Sequence, residues 1–251
     1  MYKTFLWAFF SLISTPLFSQ SNITTCDTLT WYDFSRNRKI PVAIYKSNSL
    51  HQSSKLPVVI FSHGYGQNDG IAYLNYTYLT KFLAEKGFFV VSVQHELATD
   101  SLIPSTGIPQ IVRRPFWERG VDNIHFVIEQ LKLQFPRLDF KKLSLIGHSN
   151  GGDITALFPE RYPKLIHKII TLDNRRMPLP RTKSPKIYTL RSSDQPADKG
   201  VLPDEFEQKK WSIQVVKLPN TPHNDMDNHA NERQRNEIQT YVLQFLKNKS
   251  R

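Results

Sequence analysis

The chain has 251 residues, of which 39% are hydrophobic, 12% aromatic and 22% charged. This profile is typical of a globular protein with a sizeable core, and it excludes a solenoid or a disordered chain. The net charge of +11 comes from 33 basic against 22 acidic residues. Because the basic residues are scattered and form no basic-and-aromatic motif, we expect a basic surface and no nucleic-acid partner.

The first residues have the pattern of a secretory signal peptide. Lys3 gives a positive start, residues 5–13 are an apolar run, and a proline breaks that run before the small residue Ser19. The run is short for a membrane-spanning helix, and no later segment is long and apolar enough to cross a bilayer. The sequence predicts a signal peptide over residues 1–19 and one domain over 20–251. We expect an exported protein, periplasmic or secreted, without stable membrane insertion.

After this segment, β-rich runs alternate with amphipathic segments, which is typical of a mostly parallel sheet covered by helices on both faces. The predicted strands are residues 29–34, 39–45, 57–62, 88–93, 142–146, 166–172, 186–190 and 212–218. The predicted helices are residues 71–86, 117–135 and 232–247, and one more that begins near position 149. We therefore predict an α/β fold with about eight strands and, because the segment between Asp173 and Lys186 is brief, little or no lid.

The sequence Gly-His-Ser-Asn-Gly, residues 147–151, comes directly after a predicted buried strand. The motif Gly-x-Ser-x-Gly marks a sharp strand-to-helix turn that exposes a serine hydroxyl above the sheet. Its two glycines leave room for neighbouring backbone. A glycine-rich turn with an ordinary surface serine would fit the motif alone, so the prediction of Ser149 as a nucleophile depends on finding its partners.

A serine nucleophile needs a general base and a carboxylate that orients the base, and in this arrangement both follow the serine on loops after later strands. His223 follows the last predicted strand, whereas His229 lies nearer to the final helix, so His223 is the predicted base. Asp194 is the first acid after the preceding predicted strand, residues 186–190, and it is the predicted orienting acid. Asp198 and Asp173 remain alternatives.

Acyl transfer places negative charge on an oxygen, which two backbone N–H groups commonly bind. The N–H of Asn150 stands at the start of the helix after the nucleophile. The loop over residues 62–66 reads Ser-His-Gly-Tyr-Gly, and the N–H of Tyr65 is the second predicted donor, although a plain strand-to-helix turn would also fit this loop. His223 and His229 form no known ligand spacing, and we predict no metal site.

With these motifs the sequence resembles the α/β-hydrolase superfamily, and more narrowly its dienelactone hydrolase and platelet-activating-factor acetylhydrolase branch of serine esterases. The resemblance rests on residues 33–42, 62–66, 93–96 and 147–152 and on Arg119. It implies hydrolysis of small-molecule or lipid esters through a Ser149, Asp194 and His223 triad, with Tyr65 and Asn150 as oxyanion donors and without a cofactor.

Two features depart from that branch. A serine stands where dienelactone hydrolases proper have a cysteine. In addition, the acid of the branch is usually followed closely by a short hydrophobic-Pro segment, whereas residues 195–199 intervene here before such a segment at 201–203. This spacing keeps Asp198 open as the acid.

We therefore predict a serine hydrolase of the carboxylesterase or lipase type. The same triad could serve an acyltransferase or a peptidase, because the triad does not specify the acceptor. A non-catalytic binding protein on the same fold is a further alternative. Neither the ester nor the oligomeric state follows from the sequence.

Overall fold

The computed structural model of the protein describes residues 24–47 and 55–248, so the predicted signal peptide over residues 1–19 lies outside the described residues. The strands are β1 (Thr24–Asp33), β2 (Arg38–Ser47), β3 (Pro57–Ser62), β4 (Phe89–Val93), β5 (Asp139–His148), β6 (Lys168–Leu172), β7 (Lys186–Arg191) and β8 (Gln214–Lys217). The helices are α1 (Thr77–Glu85), α2 (Pro109–Val112), α3 (Arg114–Gln134), α4 (Ser149–Arg161), α5 (Glu205–Trp211) and α6 (Glu232–Lys247), with 3-10 turns at Ala72–Leu74 and His223–Met226.

The eight strands form one sheet in the order β1-β2-β4-β3-β5-β6-β7-β8. Strand β2 is antiparallel to β1 and to β4, and the neighbours from β4 to β8 are parallel. The predicted mostly parallel sheet of about eight strands is confirmed, with strand ends that differ by a few residues. Because parallel strands end at a common edge, the loops after β3, β5, β6 and β8 meet there.

Helices cover both faces of the sheet, which explains why β4 and β6 are buried along their whole length. On one face, α3 packs with buried apolar residues at helical spacing, namely Trp117, Val121, Ile124, Val127, Ile128 and Leu131. On the other face, α1 and α6 pack with residues that include Leu79, Leu83, Ile238 and Val242. Among the described residues, no helix is both long and apolar enough to span a membrane.

The sequence did not predict α2 and α5. Helix α2 has four residues and α5 has seven, and neither buries a residue. Since hydrophobic periodicity arises from a buried face, these helices carry no such signal. The remaining local signal for α5 is its capping box, in which Asp204 and Glu207 each bind the other's backbone N–H.

Lys168 ties the start of β6 to the end of α6. Its buried ammonium donates hydrogen bonds to the carbonyl oxygens of Phe245 at 2.8 Å, Leu246 at 2.7 Å and Asn248 at 2.7 Å. Carbonyls at the end of a helix have no intrahelical donor, and a cation there is favourable. Burial lowers the pKa of Lys168 to about 8, and the three carbonyls support its charged form.

We expect Lys168→Met to lower the free energy of unfolding by about 2–3 kcal/mol, because three buried carbonyls lose a charged donor. Urea denaturation measures this loss. Lys186, which lies opposite Lys168 on β7 and is only half-buried, provides the matched control. Lys186→Met should cost less than about 1 kcal/mol, and equal losses for the two variants would contradict a capping role.

Candidate active site

Ser149 stands where β5 turns into α4, at the carboxyl edge of the sheet. Its φ is +51°, a left-handed conformation that residues other than glycine rarely adopt. A Cβ on Gly147 would overlap the carbonyl of Gly151, and a Cβ on Gly151 would overlap the carbonyl oxygens of the loop after β3. The strand-to-helix turn predicted from the motif is therefore present, and close backbone approach explains both glycines.

Three side chains form a hydrogen-bonded chain at this turn. His223 follows β8, and its Nε2 lies 2.9 Å from Oγ of Ser149. On the other side of the ring, Nδ1 lies 2.6 Å from Oδ2 of Asp173, which directly follows β6. The chain runs from a hydroxyl through an imidazole to a carboxylate, and Asp173 is fully buried at its inner end.

The structure corrects the prediction of Asp194 as the carboxylate that faces the imidazole. The Asp194 carboxylate instead accepts the backbone N–H of His223 at 2.8 Å, and Asp198 binds Arg176. The reason lies in the strand order. Strand β6 is the direct neighbour of β5, whereas β7 is one strand further away, so an acid after β6 reaches the ring beside Ser149.

A signal for Asp173 is present in the sequence. The resemblance implied a short hydrophobic-Pro segment soon after the acid, and Met177 and Pro178 follow Asp173 by four and five residues. The same type of segment lies further from Asp194.

Several groups keep the Asp173 carboxylate ionised. Nη2 of Arg191 lies 2.8 Å from its Oδ1, and the N–H of Ser192 donates to the same oxygen at 2.9 Å. Burial raises the pKa of Asp173, but the hydrogen bond from His223, the Arg191 charge and the Ser192 N–H outweigh burial and hold it below its usual value. An ionised carboxylate holds the imidazole with its hydrogen on Nδ1 and leaves Nε2 free to accept a proton. Sequence reasoning missed Arg191.

Of the two residues predicted as amide donors, Asn150 directly follows Ser149 in the chain, and Tyr65 comes from the loop after β3. Tyr65 lines the same cavity as Ser149, and its hydroxyl accepts the N–H of Ile103 at 3.1 Å. The preceding N–H, of Gly64, donates to Oη of Tyr76 at 3.0 Å. Asn150 is the second residue of α4, and the first N–H groups of a helix have no intrahelical acceptor.

His148 packs beside this site without adding a charge to it. Its Nδ1 lies 2.8 Å from Oη of Tyr76, and its ring centroid lies 4.7 Å from that of His223. Burial, with the neighbouring His223, lowers the pKa of His148 to about 3. The ring is therefore neutral near pH 7 and does not oppose a positive charge on His223. Sequence reasoning missed both His148 and Tyr76.

A cavity of about 490 Å³ opens in front of Ser149. Its lining residues are Gly64, Tyr65, Gly66, Ala72, Asn75, Tyr76, His148, Ser149, His223, Asn224, Asp225, Asp227 and His229. Most of these side chains are polar or aromatic. Within the described part of the chain, no group of three or more His, Cys, Asp and Glu side chains is arranged to hold a metal ion.

Comparison with known proteins supports this architecture. The family model for platelet-activating factor acetylhydrolase, isoform II, matches residues 22–103, a stretch that contains Tyr65 but ends before Ser149. No curated protein matches the sequence significantly.

Solved structures match over most of the chain. Esterase Est22 has a TM-score of 0.64 at 14% identity, covering 90% of this chain and 82% of its own. A dienelactone hydrolase-like promiscuous phosphotriesterase from metagenomic libraries has a TM-score of 0.65 at 17% identity, covering 89% and 97%. An esterase from the fungus Rhizomucor miehei has a TM-score of 0.64 at 14% identity, covering 89% and 82%. This chain has the α/β-hydrolase fold.

In the α/β-hydrolase fold of this chain, the buried carboxylate of Asp153 holds the loop that follows Asp173. Oδ1 of Asp153, on the second turn of α4, accepts the backbone N–H groups of Arg175 at 3.2 Å, Arg176 at 2.9 Å and Met177 at 2.8 Å. Burial raises the pKa of Asp153 to about 6, although these N–H groups act in the opposite direction.

The raised pKa predicts the sign of a pH dependence. Because folded Asp153 binds a proton more tightly than the unfolded residue, its contribution to stability is full below the unfolded pKa of 3.8 and is lost as pH rises through about 6. Relative to Asp153→Asn, the natural protein should gain about 2 kcal/mol of unfolding free energy between pH 7.5 and pH 4.5. Urea denaturation of both proteins at these pH values measures the gain. A difference that does not change with pH would refute the raised pKa.

Proposed function

We propose that this protein is a serine hydrolase that cleaves carboxylic esters through an acyl-enzyme on Ser149. The observation that carries the proposal is the hydrogen-bonded chain from Ser149 through His223 to Asp173. It lies at the strand-to-helix turn where the α/β-hydrolase fold holds a nucleophile. Solved structures described as esterases share the fold, which supports an ester as the substrate.

In the first half of the reaction, Oγ of Ser149 attacks the ester carbonyl carbon while Nε2 of His223 takes the hydroxyl proton. Asp173 keeps the ring oriented and offsets the positive charge that the imidazole gains. The carbonyl oxygen becomes negative as the new bond forms. The backbone N–H groups of Tyr65 and Asn150 bind this oxygen in our proposal.

The first half ends when the bond from the carbonyl carbon to the alcohol oxygen breaks and the alcohol leaves with the proton from His223. Water then attacks the acyl-enzyme as His223 takes one of its protons, and the acid leaves as Ser149 regains its hydrogen. Each proton that His223 accepts is returned, so no redox partner or cofactor is needed.

The cavity at Ser149 favours a small ester over a long acyl chain. Asn75, Asn224, Asp225 and Asp227 contribute polar groups to its wall, and a long alkyl chain would remain in contact with them at a desolvation cost. The volume of about 490 Å³ lies within the range for small-molecule sites. We therefore propose short-chain esters as the substrate class.

Ser149→Ala should abolish hydrolysis of p-nitrophenyl acetate, with a loss of at least about 10³-fold and an unchanged melting temperature, because the attacking oxygen is gone. A fluorophosphonate probe should label the natural protein and not the variant. Undiminished turnover in the variant would refute Ser149 as the nucleophile. Absence of both labelling and turnover in the natural protein would indicate a non-catalytic binding protein.

Asp173→Asn and Asp194→Asn form a matched pair that tests which acid orients His223. Asp173→Asn should lower kcat by about 10³–10⁴-fold, because the amide no longer stabilises the required tautomer and its charged form. Asp194→Asn should change kcat by less than about tenfold, because the amide oxygen still accepts the N–H of His223. The reverse order of losses would show that the carboxylates exchange roles in solution.

A further inference from the structure

The three residues after β4, positions 94–96, are almost completely buried. They contact both segments that carry the proposed oxyanion donors. In one contact His95 donates a hydrogen bond, and in the other Glu96 accepts one. Neither residue takes part in the proposed catalytic chain of Ser149, His223 and Asp173.

The first contact supports the loop of Tyr65. The backbone N–H of His95 donates to Nε2 of His63 at 3.0 Å, and Nδ1 of His63 lies 2.6 Å from the carbonyl oxygen of Gly64. Since Nε2 accepts a hydrogen bond, Nδ1 must carry the hydrogen and donate to Gly64. The imidazole therefore links the segment after β4 to the peptide group that includes the N–H of Tyr65.

The second contact supports the start of α4. Oε1 of Glu96 accepts the side-chain amide N–H of Asn150 at 3.1 Å, and Oδ1 of Asn150 accepts the indole N–H of Trp117 at 2.8 Å. Glu96, Asn150 and Trp117 are 2%, 6% and 0% exposed. Both ends of the Asn150 amide are thus held inside the protein, which fixes the residue whose backbone N–H faces the site in our mechanism.

Stability alone does not account for Glu96. Its Oε2 has no hydrogen-bond partner among the described residues and lies 3.6 Å from Nε2 of His63, which already accepts the N–H of His95. Burial raises the pKa of Glu96 above its usual value. A buried carboxyl group with one unpartnered oxygen is unfavourable for folding, and exceptions of this kind concentrate at functional sites.

We propose that Glu96 and Trp117 are positioning residues that hold the N–H groups of Tyr65 and Asn150 at a fixed separation for the oxyanion. The proposal rests on the proposed function. Preorganised donors are effective because they need no rearrangement as charge develops in the transition state. The segment after β4 supplies the common support, since it contacts the Tyr65 loop through His63 and Asn150 through Glu96.

Glu96→Ala removes the acceptor for the Asn150 amide, and Glu96→Gln keeps an acceptor oxygen in its place. With p-nitrophenyl acetate, Glu96→Ala should lower kcat by about 10–100-fold and change KM by less than about twofold, because the lost interaction acts in the transition state. The affinity for an aliphatic trifluoromethyl ketone should fall by a similar factor, since its adduct on Ser149 carries the oxyanion. Glu96→Gln should recover most of the lost kcat.

Three results would overturn the proposal. The first is an unchanged kcat in folded Glu96→Ala. The second is a loss expressed in KM alone, and the third is a Glu96→Gln variant as impaired as Glu96→Ala. If Glu96→Ala does not fold, Trp117→Phe decides, because it removes the indole donor and keeps an aromatic ring. We expect it to lower kcat and ketone affinity together by about 3–10-fold, and unchanged values would overturn the proposal.

Activity and labelling of the natural protein distinguish failure of the positioning proposal from failure of the proposed function. A natural protein that neither hydrolyses p-nitrophenyl acetate nor reacts with a fluorophosphonate refutes the hydrolase itself. An active natural protein whose Glu96 and Trp117 variants are equally active refutes only the positioning role.

Discussion

The backbone of α4 passes so close to the loop after β3 that no side chain fits between them. A Cβ on Gly151 would overlap the carbonyl oxygens of Ser62 and His63, and the turn before it must rise steeply to make this approach. The positive φ of Ser149 is the consequence. Such strain persists only where the surroundings hold it in place, and here the sheet on one side and the helix on the other do so.

This close approach also determines which groups can meet. It brings the start of α4 beside the loop of Tyr65, and Tyr65 and Ser149 line one cavity. Strand order then selects the remaining partners. Loops that follow β6 and β8 open at the same edge of the sheet, and they deliver Asp173 and His223 to Ser149 from the opposite side.

The elements and residues that the sequence predicted well are those with a local signal. The central strands are continuous apolar runs because both of their faces are covered, and Ser149 lies in a motif whose turn is defined by its own glycines. The choice between Asp173 and Asp194 has no comparable local basis. Both follow a strand, and both contact His223, one at the ring and the other at the backbone N–H. The hydrophobic-Pro segment soon after Asp173 is a weak signal for it, and the neighbour relation of β5 and β6 agrees with that signal.

Other parts of the site could not be predicted because they depend on buried polar contacts between distant segments. Tyr76 reaches Gly64 and His148 from the start of α1, and Glu96 reaches Asn150 across 54 positions of the chain. A single polar residue in an apolar stretch has no periodicity, and its burial becomes apparent only when the partner is known. For the same reason, the pairing of Arg191 with Asp173 had no sequence signal.

The loops around the site are fixed by carboxylates that accept backbone N–H groups, and the environment of each carboxylate determines how it responds to acid. Asp173 has the guanidinium of Arg191 beside it, and its pKa is held low. Asp153 forms no ion pair within the described part of the chain, and burial raises its pKa to about 6. Both carboxylates hold the segment after β6. As pH falls through about 6, Asp153 therefore takes up a proton in the folded protein while Asp173 is still ionised against His223. Protonation of Asp153 thus adds to the stability of the folded protein in mild acid, while the carboxylate that orients the imidazole keeps its charge.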